Sequence, residues 1–185
     1  MAKSRTAVIE SFRSALAKPV ELDALLAKAG QKDRTNVEKH LAALDSTHGA
    51  LWRRLMRSLA TLAPLAIQTV GQQAVQFFIA DGKYRMQVFA LEDANDGSGH
   101  LALYVPDVLD EARKLKVLSN EQEPELPIEQ LTAANTPNPS PHYKNMLGWN
   151  RKALRIVLPV AATSQQVETA ENLAALAARA WAGKA

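Results

Sequence analysis

The 185-residue chain has no cysteine, which excludes a disulfide scaffold, a cysteine-ligated zinc or iron–sulfur centre, and thiol chemistry. Aromatic residues are sparse, with three Trp, three Tyr and four Phe, so each large ring stands out as a core or contact candidate. There is no run of 18 or more apolar residues, and hence no candidate membrane-spanning helix. The opening stretch MAKSRTAVIESFRSALAKP is basic, but Glu10, Ser11, Arg13 and Ser14 interrupt any apolar signal core. A cytoplasmic protein is therefore expected. What is present suffices for a folded domain. At 47% hydrophobic and 22% charged the chain can bury a core. Its length suits one ordinary domain, or a compact domain with a helical extension.

The near balance of 22 Lys and Arg against 19 Asp and Glu conceals an uneven distribution. Residues 1–60 carry a net +5, residues 61–140 a net −6 and residues 141–185 a net +4. Basic ends can fold onto an acidic middle, onto a second copy, or form one face for an anionic partner. Three ordinary solvated surfaces explain the same blocks.

Helical periodicity runs through the first 62 residues. Ala7, Val8, Phe12, Ala15 and Leu16 recur at helical spacing up to Lys18-Pro19. Residues 21–29 form a second short helix with Leu22, Leu25 and Leu26 apolar, and Gly30 is placed to close it. Thr35-Asn36-Val37-Glu38 reads as a capping box opening a helix with Val37, Leu41 and Leu44. A fourth helix spans 47–62, with the stripe Leu51, Trp52, Leu55, Met56, Leu59, Leu62 and the flank Arg53, Arg54, Arg57.

After Pro64 the period changes. Residues 74–80, Asp81-Gly82 and residues 84–91 predict a β-hairpin, because Asp-Gly suits a turn with positive φ. A turn at 95–99 leads to a strand at 100–105, and successive strands in meander order predict an antiparallel sheet. Asp107 is the expected N-cap of a helix reaching about Leu115, with Arg113, Lys114 and Lys116 in its last turn. Residues 119–142, with Pro137, Pro139 and Pro141, read as an irregular loop or lid. A strand at 153–158 ends at Pro159, and Thr163 with Gln166 caps a last helix bearing Val167, Leu173, Ala174, Ala177 and Trp181. The expected architecture is α+β: a helical unit at 1–62 and, at 63–185, an antiparallel sheet packed by helices.

Templates for chemistry find little purchase. His40, His48, His100 and His142 do not form an H-E-x-x-H pattern, and no spacing calls for a metal or cofactor. Asp93-Ala94-Asn95-Asp96-Gly97 imitates the start of a calcium loop, but its glycine is one position early and Tyr104 occupies the closing glutamate's place. Gly97-Ser98-Gly99 lacks the following helix and lysine of a phosphate loop. The acids Asp107, Asp110 and Glu111 suit a helix N-terminus as well as a general acid/base pair. An enzyme with a pocket under the 119–142 loop stays open as a third class.

Two segments point to partners. A basic, aromatic stretch, HYKNMLGWNRKALR, contains His142, Lys144, Trp149, Arg151, Lys152 and Arg155; with Lys83 and Arg85 these are the candidates for an anionic ligand or acidic partner, Trp149 serving as a stacking platform. The alternative is that Trp149 plugs the core edge while the cations are solvated or paired with the acidic middle. The second segment, LDALLAKAGQKDRTNVEKHLAAL, resembles the helix-turn-helix of bacterial transcription regulators through Ala27, Val37 and Leu41. That resemblance implies that Arg34, Thr35, Asn36, Lys39 and His40 head a helix entering the major groove, where Arg and Asn read base edges and Lys binds phosphate. A plain bundle of short helices explains the same pattern. The Ala-rich last helix also offers an apolar face for a homodimer, or for its own sheet.

Residues 51–181 are similar in element order to small bacterial α+β domains of the YdhG and YjbR types. The likeness is carried by DGKYRMQVFAL, by HLALYVP, and by His142 with Trp149-Asn150 before a last strand and helix. It implies a compact sheet flanked by helices with no established activity. DNA-binding and iron-chaperone roles have been suggested for such domains; the latter would draw on Asp107, Asp110 and Glu111. The reading favoured by the residues is a non-catalytic binding or interaction protein.

Overall fold

The computed structural model describes residues 21–62, 66–70, 74–81, 84–93, 100–118, 126–137 and 152–181. These form an α+β fold of five helices and six strands. Three helices come first: α1 (Leu22–Lys28), α2 (Gln31–Ala43) and α3 (Ser46–Leu62). The strands are β1 (Ala66–Val70), β2 (Ala74–Asp81), β3 (Tyr84–Asp93), β4 (Leu101–Pro106), β5 (Ile128–Thr132) and β6 (Lys152–Leu158). A short α4 (Leu109–Lys114) follows β4, and α5 (Ser164–Trp181) closes the fold. All strand pairs are antiparallel, in the order β1-β2-β3-β4-β6-β5. The helix predicted near residues 7–16 and the turn at 95–99 lie outside the described residues.

Strand alternation sorts the sheet into two faces. Ile67, Phe77, Phe89, Leu91, Leu101, Leu103, Leu154, Ile156 and Leu158 join the helix-side core with Leu25, Trp52, Leu55, Met56, Val167, Leu173 and Ala177. Each fully buried Leu or Phe contributes roughly 1.5–3 kcal/mol by leaving water. The opposite face carries a smaller buried cluster of Ala90, Ala102, Tyr104, Leu131 and Ala153. β4 is therefore buried along its whole length, as a central strand packed on both faces should be. Between Phe77↔Phe89 and Phe78↔Gln87 the register shifts, and Val88 is the extra residue of a bulge in β3.

The helix-side stripe of α3 is buried from Leu51 to Leu59 and half-buried at Leu62, as its periodicity predicts, while Arg53, Arg54 and Arg57 are exposed. Asp45 starts this helix, its Oδ1 accepting from the amides of Thr47 and His48 at 2.9 Å each. At α5 the expected capping box is present and reciprocal. The Thr163 amide donates to Gln166 Oε1 at 2.9 Å, and the Gln166 amide to Thr163 Oγ1 at 3.2 Å. Arg54 then clamps α3 to α5 through a two-pronged contact with Glu171, at 3.0 and 2.8 Å, joined by Ser58 Oγ at 2.6 Å. Burial works against the Glu171 carboxylate, but these donors outweigh it and hold its pKa below the usual range.

Several local expectations are corrected. α2 begins at Gln31, so Thr35 lies inside the helix and the Thr35–Glu38 capping box is not formed. Gly30 does not close α1 in a left-handed turn; with φ −59 and ψ 150 it is the extended N-cap of α2. Asp107 caps α4 one residue ahead of the helix boundary, its Oδ1 accepting from the Leu109 amide at 3.1 Å. The stretch read as an irregular loop at 119–142 contains β5, and β1 precedes the predicted hairpin. Both new strands lie at sheet edges, and side chains cover their outward backbone groups. Asp33 Oδ1 accepts from the Thr69 amide at 2.8 Å and its hydroxyl at 2.9 Å. Asn135 accepts from the Thr132 amide at 2.6 Å and donates to the Gln130 carbonyl at 2.8 Å.

Candidate functional site

The last two residues of β3, Glu92 and Asp93, are adjacent acids that strand alternation sends to opposite faces of the sheet. Each anchors a polar cluster.

On the helix side, Asp93 meets α2 and α3. Trp52, fully buried, donates its indole N–H to Asp93 Oδ1 at 3.0 Å. His48 Nε2 stands 3.3 Å from the same oxygen, and His40 Nε2 stands 3.5 Å from Oδ2. The His40 ring meets Trp52 edge-on, with centroids 4.7 Å apart and planes at 73°. Burial holds the His40 pKa below the usual histidine value; Asp93 pulls it up, and His48 adds to the lowering. Among the described residues, no group of three or more His, Asp or Glu is arranged to hold a metal ion.

On the other face, a polar row crosses four neighbouring strands above the floor of Ala90, Ala102 and Ala153. The buried Tyr104 hydroxyl donates to Glu92 Oε1. Arg155 Nε donates to that same hydroxyl at 3.3 Å. Beyond it, Arg155 Nη1 lies 3.8 Å from Glu129 Oε2, an ion pair too long for a hydrogen bond. Glu129 is the more exposed partner, at 58% against 27% for Arg155. Burial, reinforced by Glu92, pushes the Tyr104 phenol well above its usual pKa. It therefore stays a proton donor and is unsuited to act as a base. Gln130, which alternation along β5 sends to the opposite face from Glu129, donates from Nε2 to Asp107 Oδ2 at 2.7 Å.

The residues predicted from sequence are placed unequally. Arg155 belongs to this row, and Lys152 is exposed at the start of β6. Alternation along β6 sends Arg155 and Lys152 to opposite faces. Arg85 pairs with Ala80 in the β2–β3 hairpin; its side chain, with Lys83, His142, Lys144, Trp149 and Arg151, lies outside the described residues. Of the helix-turn-helix set, Arg34 and Lys39 are exposed and Thr35 is half-buried. Asn36 donates to Thr69 Oγ1 at 2.9 Å, and His40 is buried. Two of the five side chains are thus engaged inside the fold, while Arg34, Thr35 and Lys39 keep exposed surface on α2.

Sequence reasoning passed over Glu92, Asp93, His48, Tyr104 and Glu129. His40 and His48 are eight residues apart on different helices, and Asp93 is a further 45 residues along. No local spacing signals that convergence. The row at Tyr104 was open to detection only through strand register, which places Arg155 opposite both Tyr104 and Glu129.

A scan against protein-family models returned no match, and searches of curated proteins and of solved structures likewise found none.

Proposed function

We propose that the chain is a non-catalytic binding protein that takes an anionic group, a carboxylate or phosphate, at Arg155 on the sheet face opposite the described helices. The supporting observation is the way Arg155 is held. Its Nε is oriented by Tyr104, whereas the carboxylate paired with its Nη1 among the described residues is the loose, solvent-facing Glu129 at 3.8 Å. A planar guanidinium fixed at one edge suits bidentate recognition of an oxyanion. Glu129 occupies the position such an anion would take and acts as an internal stand-in that a ligand displaces. The basic segment containing His142, Lys144, Trp149 and Arg151 leads directly in sequence into β6. With Lys83 and Arg85, it is included in the proposal as a source of further positive charge. Kinship with the YdhG- and YjbR-type domains is likewise a proposal, supported by the order helix, hairpin, strand, helix, strand, helix once the additional edge strands β1 and β5 are set aside.

Titration of the 15N-labelled chain with inorganic phosphate and, separately, with an acetylated pentaglutamate peptide tests this reading. The Arg155 Nε–H resonance is expected to shift with at least one probe, and the shift to weaken as salt rises. Arg155→Gln should abolish the response. Glu129→Gln should strengthen it by roughly threefold to tenfold, the effect of about 1 kcal/mol of removed competition at a surface pair. An unresponsive Arg155, or equal binding by Arg155→Gln, overturns the proposal.

A further inference from the structure

The helix-side cluster sets two imidazoles against one carboxylate at the junction of α2, α3 and β3. Among the described residues, neither His40 Nε2 nor His48 Nε2 has a hydrogen-bond partner, although both are buried. Buried polar atoms without partners are uncommon in folded proteins. Here both atoms point at Asp93 from 3.5 and 3.3 Å.

We propose that His40, His48 and Asp93 form an acid-operated latch that holds α2 against the end of β3 while the imidazoles are neutral and releases it when they are protonated. One buried carboxylate offsets one imidazolium; a second leaves an uncompensated positive charge out of water. The charged groups acting on His40 are Asp93 from β3 and His48 from α3. Among the described residues, those facing His48 are Asp93 and, across the carboxylate, His40. Trp52, between the helices, supplies an indole donor that does not titrate.

The direction follows from burial, which keeps the folded-state pKa of His40 below that of the unfolded chain. As pH falls, the unfolded or released segment binds its proton first. The latch is at full strength above the ordinary histidine pKa of about 6.5 and weakens as pH drops through it. Release has a further consequence. Asp33 and Asn36, which cover Thr69 on the β1 edge, both belong to α2. Acid therefore uncovers a strand edge as well as a helix.

Hydrogen exchange of the full chain at pH 7.5 and 5.5, corrected for intrinsic exchange rates, reads the latch directly. Amides of α2 should lose protection as pH falls, by at most about tenfold for each imidazole kept neutral in the fold, while β4 and β6 hold theirs. In a His40→Gln/His48→Gln variant, α2 protection should no longer depend on pH. If that variant fails to fold, the imidazole titration of the unaltered chain decides instead, with a His40 midpoint expected below that of free histidine. Protection of α2 that is independent of pH, a loss shared equally by β4 and β6, or a His40 midpoint at or above the free value overturns the latch.

Discussion

Tyr104 shows how much a single hydroxyl can organise. It donates to Glu92 and accepts from Arg155, so one atom links β3 to β6 across β4. Tyr104→Phe keeps the buried ring and removes both contacts, leaving the half-buried Glu92 without this donor. The expected cost is about 1–2 kcal/mol, the range for losing a partner of a charged, partly buried group. A urea midpoint lowered without a change in slope checks it. A midpoint equal to that of the unaltered chain would mean that Glu92 finds water as good a partner. The same residue explains why chemistry was hard to read from sequence. From sequence Tyr104 is a residue of the strand HLALYV and the wrong residue for a calcium loop, whereas its role depends on which residues the neighbouring strands set beside it.

At the scale of elements, legibility followed length and periodicity. The stripe of α3 and the capping box of α5 were readable because many residues repeat one signal. The five-residue strands β1 and β5 were not, because AIQTV and IEQLT are too short to show a period. In β5, moreover, only Leu131 is buried. The capping box at Thr35 failed because α2 extends a full turn further back, so tertiary packing overrode a local preference. Both edge strands depend on a helper outside the sheet, Asp33 for β1 and Asn135 for β5. Removing a helper should expose backbone groups that template pairing with another chain. Asn135→Ala is expected to raise self-association, seen as concentration-dependent light scattering, with a stability loss of only about 1 kcal/mol. Asp33→Ala should behave similarly at the opposite edge. A variant that stays monomeric at concentrations well above those at which the unaltered chain is studied would show that the edge is protected in another way.

At the scale of the molecule, the charge blocks and the core give the same account of how the N-terminal helices relate to the sheet. The basic first block meets acid within the fold: Arg54 pairs with Glu171 on α5, and His40 and His48 face Asp93 at the end of β3. In the third block, Arg155 meets Glu129 of the acidic middle. One apolar core extends from Leu22 and Leu25 through Trp52 and the sheet to Leu173 and Ala178. Helices up to residue 62 thus contribute side chains that the sheet needs in order to be buried. Two-state behaviour is expected of a core shared in this way. With Trp149 and Trp181 changed to Phe, fluorescence reports on Trp52 alone, inside the helices, whereas far-UV ellipticity reports on all regular structure. At pH 7.5, where the latch is closed, the two signals should give one urea midpoint and one slope. Loss of Trp52 fluorescence at a lower urea concentration would show that the helices melt from the sheet as a separate unit, with the Asp93 cluster and the Arg54–Glu171 clamp too weak to couple them.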